Sequence, residues 1–160
     1  MDLSFGPRYE DFRSEVRQFI QEHGSKSPQS GYSGSKKAMA WQTLLIENGY
    51  AARTIPKDYG GYGGSPDIIE SRIIAEEFSK KQISTGLGGQ GISMLVPVLL
   101  EMGSEDQKKQ FVGPTIRGEM LWCQGYSEPG AGSDLASLST KAVLHGDDWV
   151  INCLLYTSPS

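Results

Sequence analysis

The spacing of the apolar residues changes once, near Gly118, and that change limits the chain to helices first and strands afterwards. Upstream, Phe5, Tyr9, Phe12, Val16, Phe19 and Ile20 recur at steps of three and four, the stripe of an amphipathic helix over 7–23. Pro7 suits its first turn and Gly24 its end. The Ser- and Gly-rich stretch 24–35 is expected as a loop. A second helix over 35–48 carries Trp41, Leu44 and Leu45 and stops at Asn48-Gly49. Residues 55–64 are expected as a glycine-rich loop whose tyrosines either cover the core edge or offer a stacking surface. Ser65 as N-cap, Pro66 at the first helical position and Asp67 in the first turn open a helix to about Lys81. Ile68, Ile69, Ile73, Ile74 and Phe78 are its core-facing residues. Glu76 and Glu77 project about 100° apart on a helix, so they do not face one substrate atom, and both are expected on a solvated face.

Residues 83–91 hold four glycines. Ile92, Leu95, Val96, Leu99 and Leu100 then form another helical stripe that ends at Met102-Gly103. Ser104 with Gln107 makes a capping box for a short helix over 105–112, closed by Gly113-Pro114. Downstream of Gly118, the aromatic and apolar run Met120–Tyr126 reads as a strand. Leu138, Thr140, Ala142 and Leu144 alternate with Ser139, Lys141, Val143 and His145. Gly146-Asp147-Asp148 turns the chain and Trp149-Val150-Ile151 returns it, a β-hairpin. The expected class is α+β: an all-α domain over 1–118, followed by the start of an antiparallel β domain over 119–152.

Composition narrows the partners. A chain of 160 residues can bury one core of ordinary size. Its net charge of −4 comes with no basic stripe, which argues against nucleic-acid binding. The longest apolar stretches fall far short of a membrane span, and the N-terminus lacks the pattern of a signal peptide. Cys123 and Cys153 make no disulfide framework, so a reducing, cytoplasmic location is expected. No His/Cys/Asp cluster has metal-ligand spacing.

The segment Trp122–Leu135 carries the strongest chemical signal. Pro129 restricts one backbone angle, while Gly130 and Gly132 permit positive φ and leave room for an approaching ligand. Ser127, Ser133 and Asp134 add polar groups. On spacing alone, such a loop is either a plain turn or a concave set of backbone N–H groups that suits a phosphate or polarised carbonyl. By the same reasoning Ser127 is a core hydroxyl or a ligand contact, and Ser133-Asp134 a cap or a binding pair.

The string Cys123–Leu138, followed by Thr140-Lys141-Ala142, closely resembles the flavin-binding signature of the acyl-CoA dehydrogenase family. The family pattern is an aromatic or polar pair, a Thr or Ser, then Glu-Pro-x-Ala-Gly-Ser-Asp; here Ser127 holds the position where many members carry Thr. Pro56-Lys57-Asp58-Tyr59-Gly60-Gly61 also resembles a stretch of the family's N-terminal domain, with Asp58 in place of Glu. The resemblance implies FAD as cofactor and α,β-desaturation of an acyl-CoA thioester, by proton abstraction and hydride transfer to the flavin. It makes Gln124, Gly125, Tyr126 and Ser127 cofactor-binding, with Gln124, Tyr126 and Ser127 against the flavin ring, and puts Gly132 and Ser133 near the flavin diphosphate and CoA, with Ser133 contacting acyl-CoA. It also puts 86–94 at the floor of the acyl pocket. Glu128 is a tempting base, but in the family the catalytic Glu lies in a later helical domain, so no catalytic residue is named in this chain. Electron-transfer flavoprotein and further copies of the chain are the implied partners.

Residues 153–160 depart from the family pattern after Asn152 and resemble a translated sequencing adaptor, so they are expected to be a non-native tail on an N-terminal, inactive fragment. Two rival functions remain open. One is an acyl-CoA oxidase or flavin monooxygenase of the same superfamily. The other is a non-catalytic helical module binding a CoA-like anion.

Overall fold

A computed structural model describes residues 6–28, 35–125 and 127–152. They divide into two compact units after Trp122. Phe5, residues 29–34 of the Ser/Gly-rich stretch, Tyr126 and the tail 153–160 lie outside the described residues. The architecture is α+β: helices in the first unit, one antiparallel hairpin in the second.

The first unit is built from α1 (Pro7–His23), α2 (Lys36–Glu47), α3 (Ile68–Lys80), α4 (Val96–Met102) and α5 (Glu105–Ile116). The expected stripe of α1 buries Val16, Phe19 and Ile20, with Tyr9 and Phe12 packed at the edge. These meet Trp41 and Leu45 of α2 and Ile73, Ile74 and Phe78 of α3 in one cluster. Phe19 is its aromatic centre, with its ring centroid 4.5 Å from that of Tyr50 and 6.3 Å from that of Phe78. Burying each such side chain contributes about 1.5–3 kcal/mol. A second cluster joins Ile46, Val96, Val112 and Ile116.

Between these clusters lies Gln42, 2% exposed. Its Nε2 donates to the Ile116 carbonyl at 2.8 Å, and its Oε1 accepts from Leu87 N at 2.7 Å. One buried amide therefore ties α2 to the end of α5 and to the glycine-rich loop. Gly86 lies against it: φ is +102°, and a Cβ there would come within 2.3 Å of Gln42 Oε1.

Four helical details differ from the sequence expectation. Asp67, rather than Ser65, caps α3: its Oδ1 accepts from Ile69 N and Glu70 N at 2.9 and 3.1 Å. Arg8 and Tyr9 hold the other carboxylate oxygen, so contacts from α1 select this cap. The shifted start leaves Ile68 86% exposed instead of core-facing. Glu77 is buried, not solvated, because it stands three and four residues after Ile74 and Ile73 on the core face. Its carboxylate receives Arg13 Nη1 at 2.7 Å, Arg17 Nε at 2.9 Å and Lys80 Nζ at 2.8 Å. The Arg17 contact above all, with those of Lys80 and Arg13, lowers its pKa to about 2 against the opposing effect of burial.

Helix α5 begins at the expected capping box but runs to Ile116, with Pro114 inside it. A proline in a helix interior costs about 3 kcal/mol. Val112 and Ile116, both fully buried, offset this at about 1.5–3 kcal/mol each. The stripe from Ile92 is one continuous helical segment, but its first turn, Gly91–Leu95, is π rather than α. It precedes Pro97, which has no N–H to continue an α ladder back to Ser93.

In the second unit, β1 (Lys141–His145) pairs antiparallel with β2 (Asp148–Asn152), from Lys141 opposite Asn152 to His145 opposite Asp148. Gly146, at φ +63°, takes the first position of the two-residue turn, where a type II′ turn favours glycine. Both faces carry apolar pairs, Val143–Val150 on one and Leu144–Trp149 on the other, and all four residues are exposed. The strand expected over Met120–Tyr126 does not form among the described residues: 121–125 carry no ladder, and Trp122 turns to α5 instead. Strand propensity without a paired neighbour leaves the segment irregular.

Two measurements probe these links. Gln42→Leu leaves the Ile116 carbonyl and the Leu87 amide unpaired, and the melting temperature should fall by roughly 4–8 °C. Glu77 has a folded pKa of about 2 against an ordinary 4.5, so its contribution is complete above about 4.5 and declines as the pH falls toward 2. Glu77→Gln should lower the melting temperature at neutral pH by roughly 3–10 °C and flatten its decline between those two pH values.

Candidate functional site

The loop singled out in the sequence opens the second unit. Glu128 to Ala131 form a four-residue turn closed by Ala131 N donating to Glu128 O at 3.0 Å. The Glu128 side chain then folds inward and is 6% exposed. It accepts Ser139 N at 2.8 Å, Thr140 N at 2.6 Å, and the Thr140 hydroxyl. One carboxylate thus staples the two ends of residues 128–140. The Thr140 hydroxyl and the Ser139 amide hold the Glu128 carboxyl below its ordinary pKa. Ser137 Oγ crosses the same loop to the carbonyls of Gly130 and Asp134, at 2.5 and 2.9 Å.

The expected contact residues lie along this frame. Gln124, Gly125 and Ser127 are exposed and irregular, and Tyr126 is outside the described residues. Gly132 and Ser133 are exposed in the bend after Ala131, which is itself buried. Neither Gly130 nor Gly132 uses positive φ, and a Cβ on either would meet nothing within 4 Å. The loop does not need glycine there for its own backbone or packing. What the glycines leave is an open approach to the main chain, with Ser127 and Ser133 exposed before and after them in sequence. Such a face fits a flat ring or a diphosphate that binds backbone groups, as a flavin dinucleotide does. Asp134 precedes a short 3₁₀ turn, Leu135–Ser137, without a side-chain cap bond.

A separate cavity of about 110 Å³ lies within the helical unit. Leu87, Gly88, Gly91 and Ile92 line one part, and Met120, Leu121 and Trp122 another. The expected floor region 86–94 therefore does border a cavity. Sequence reasoning missed two residues. Glu128 was weighed as a base rather than as the staple of its loop; its partners lie eleven and twelve residues away, a spacing no local rule reads. Trp122, counted as part of a strand, is a cavity wall. Its Nε1 donates to Thr115 Oγ1 at 2.8 Å.

Glu128→Gln keeps the shape but offers a single acceptor oxygen. Amide exchange at Ser139 and Thr140 should accelerate by roughly tenfold while helical protection is unchanged, as expected for a local opening. Unchanged exchange at both amides would remove the staple from this account.

Residues 7–119 match the family model described as acyl-CoA dehydrogenase, N-terminal domain. The chain is 35% identical over 153 residues to acyl-CoA dehydrogenase IpdE1 of Mycobacterium tuberculosis, covering 89% of this chain and 39% of that protein. The ChsE4-ChsE5 complex from Mycobacterium tuberculosis superposes with a TM-score of 0.63 at 30% identity, over 96% of this chain and 39% of that one. An acyl-CoA dehydrogenase complexed with FAD from Bacillus anthracis superposes with a TM-score of 0.54 at 28% identity, over 94% of this chain and 26% of that one. The chain thus spans well under half the length of these relatives. Because the family match runs unbroken from α1 through α5, the chain belongs to the acyl-CoA dehydrogenase family.

Proposed function

We propose that this chain supplies the flavin- and thioester-contacting part of an acyl-CoA dehydrogenase that desaturates acyl-CoA between its α and β carbons. The observation that carries this is the stapled loop, which presents open glycines beside two exposed serines in a chain of this family. FAD, when bound, supplies the two-electron sink for the hydride leaving the β carbon. Gln124, Gly125, Tyr126 and Ser127 lie against its ring, with the Ser127 hydroxyl at the ring edge. Gly132 and Ser133 face the diphosphate and the CoA portion, and Ser133 orients the thioester. Such hydrogen bonds are worth about 0.5–1.5 kcal/mol each, so they position ligands and leave the bond-breaking to other groups. Electrons pass to an electron-transfer flavoprotein, and the complete enzyme assembles with further copies. The FAD complex of the Bacillus anthracis relative supports the choice of cofactor.

The complete protein should purify yellow, with stoichiometric FAD, and reduce an electron acceptor when given acyl-CoA without consuming oxygen. A colourless protein that takes up no added FAD overturns the proposal; rapid oxygen consumption turns it into an oxidase. Ser133→Ala should raise the KM for acyl-CoA by roughly three- to tenfold with kcat little changed, and Ser127→Ala should weaken FAD binding by a similar factor.

A further inference from the structure

We propose that Trp122 is a positioning residue for the flavin loop, a role that rests on the function proposed above. The loop begins at the next residue, so whatever holds Trp122 fixes the point from which the chain enters 123–127. Trp122 is held from three directions. Its indole N–H donates to Thr115 Oγ1 at 2.8 Å, and that hydroxyl donates in turn to the Phe111 carbonyl at 2.6 Å. Phe111 meets the indole edge-on, with centroids 5.8 Å apart at 80°. Beneath lies Gly91, where a Cβ would come within 2.6 Å of the indole Cδ1. The π turn therefore offers the ring a seat that only glycine leaves free.

The residues around Trp122 set its role apart from core packing. Thr115 is 2% exposed and Gly91 is buried, so both contacts are shielded from solvent. Trp122 itself is 37% exposed, and Leu121 before it is 62% exposed. Cys123 to Gly125 after it are exposed as well. The indole belongs to neither core cluster and sits at the edge of the helical unit. What its hydrogen bond and its fitted seat determine is the position of its own backbone, the last anchored point before the loop.

The test uses the complete flavoprotein with Trp122→Phe, Thr115→Val and the double variant. Phenylalanine keeps a ring on Gly91 and removes the N–H; valine keeps the shape of Thr115 and removes the acceptor. Each single variant should weaken FAD binding by roughly three- to tenfold, the value of one lost hydrogen bond. The double variant should be no weaker than the weaker single, because both remove the same interaction. The flavin absorption band should shift in all three. FAD dissociation constants within about twofold of wild type, with only the melting temperature lowered, assign Trp122 a purely structural role and overturn the proposal. Should Trp122→Phe fail to fold, Thr115→Val decides by the same criterion. A wild-type protein that binds no FAD overturns the proposed function and this role together; a wild type that binds FAD beside unaltered variants overturns this role alone.

Discussion

The buried amide of Gln42 is the contact on which the cavity side of the helical unit depends. Its two ends satisfy a carbonyl at the end of α5 and an amide in the glycine-rich loop, so neither backbone group is left buried and unpaired. An unpaired group of that kind costs about 1–3 kcal/mol, comparable to losing a buried apolar side chain. Through Gln42 the first core, built on α1, α2 and α3, positions the walls of the cavity. Thr115, one residue before the end of α5, then seats Trp122 at the start of the candidate flavin loop.

Two carboxylates show how differently one residue type is used in the two units. Glu77 sits in the core face of α3 and is neutralised by cations from α1 and α3, so it holds two helices together. Among the described residues, Glu128 meets backbone amides and a hydroxyl in place of a cation, and they close a loop. Both carboxyls are held below their ordinary pKa by the same groups that fix them in place.

Much of the fold was legible. The stripe of α1, the capping box of α5 and the hairpin after Leu138 all follow from spacing and local hydrogen bonding, which short segments encode by themselves. The misreadings share a cause. Ser65 and Asp67 are equally good caps by type, and Arg8 and Tyr9 of α1 made the choice. Gly113-Pro114 is a sound stop signal locally, but the core gained by burying Val112 and Ile116 outweighs it. The run 120–126 has strand residues and no ladder partner among the described residues. In the site, the loop residues were visible as a string, while the Glu128 staple was not, since its partners are far along the chain.

Periodicity, caps and the Glu-Pro-Gly-Ala-Gly-Ser-Asp string by themselves determined the order of elements and the family, because each is set by residues close in sequence. Tertiary structure alone decided that Glu77 pairs with Arg13 and Arg17 of α1, that Gln42 bridges α2, α5 and the glycine loop, and that Trp122 rests on Gly91. Those outcomes depend on which side chains meet across 31 to 74 residues of chain, a distance over which no local rule of spacing or capping operates.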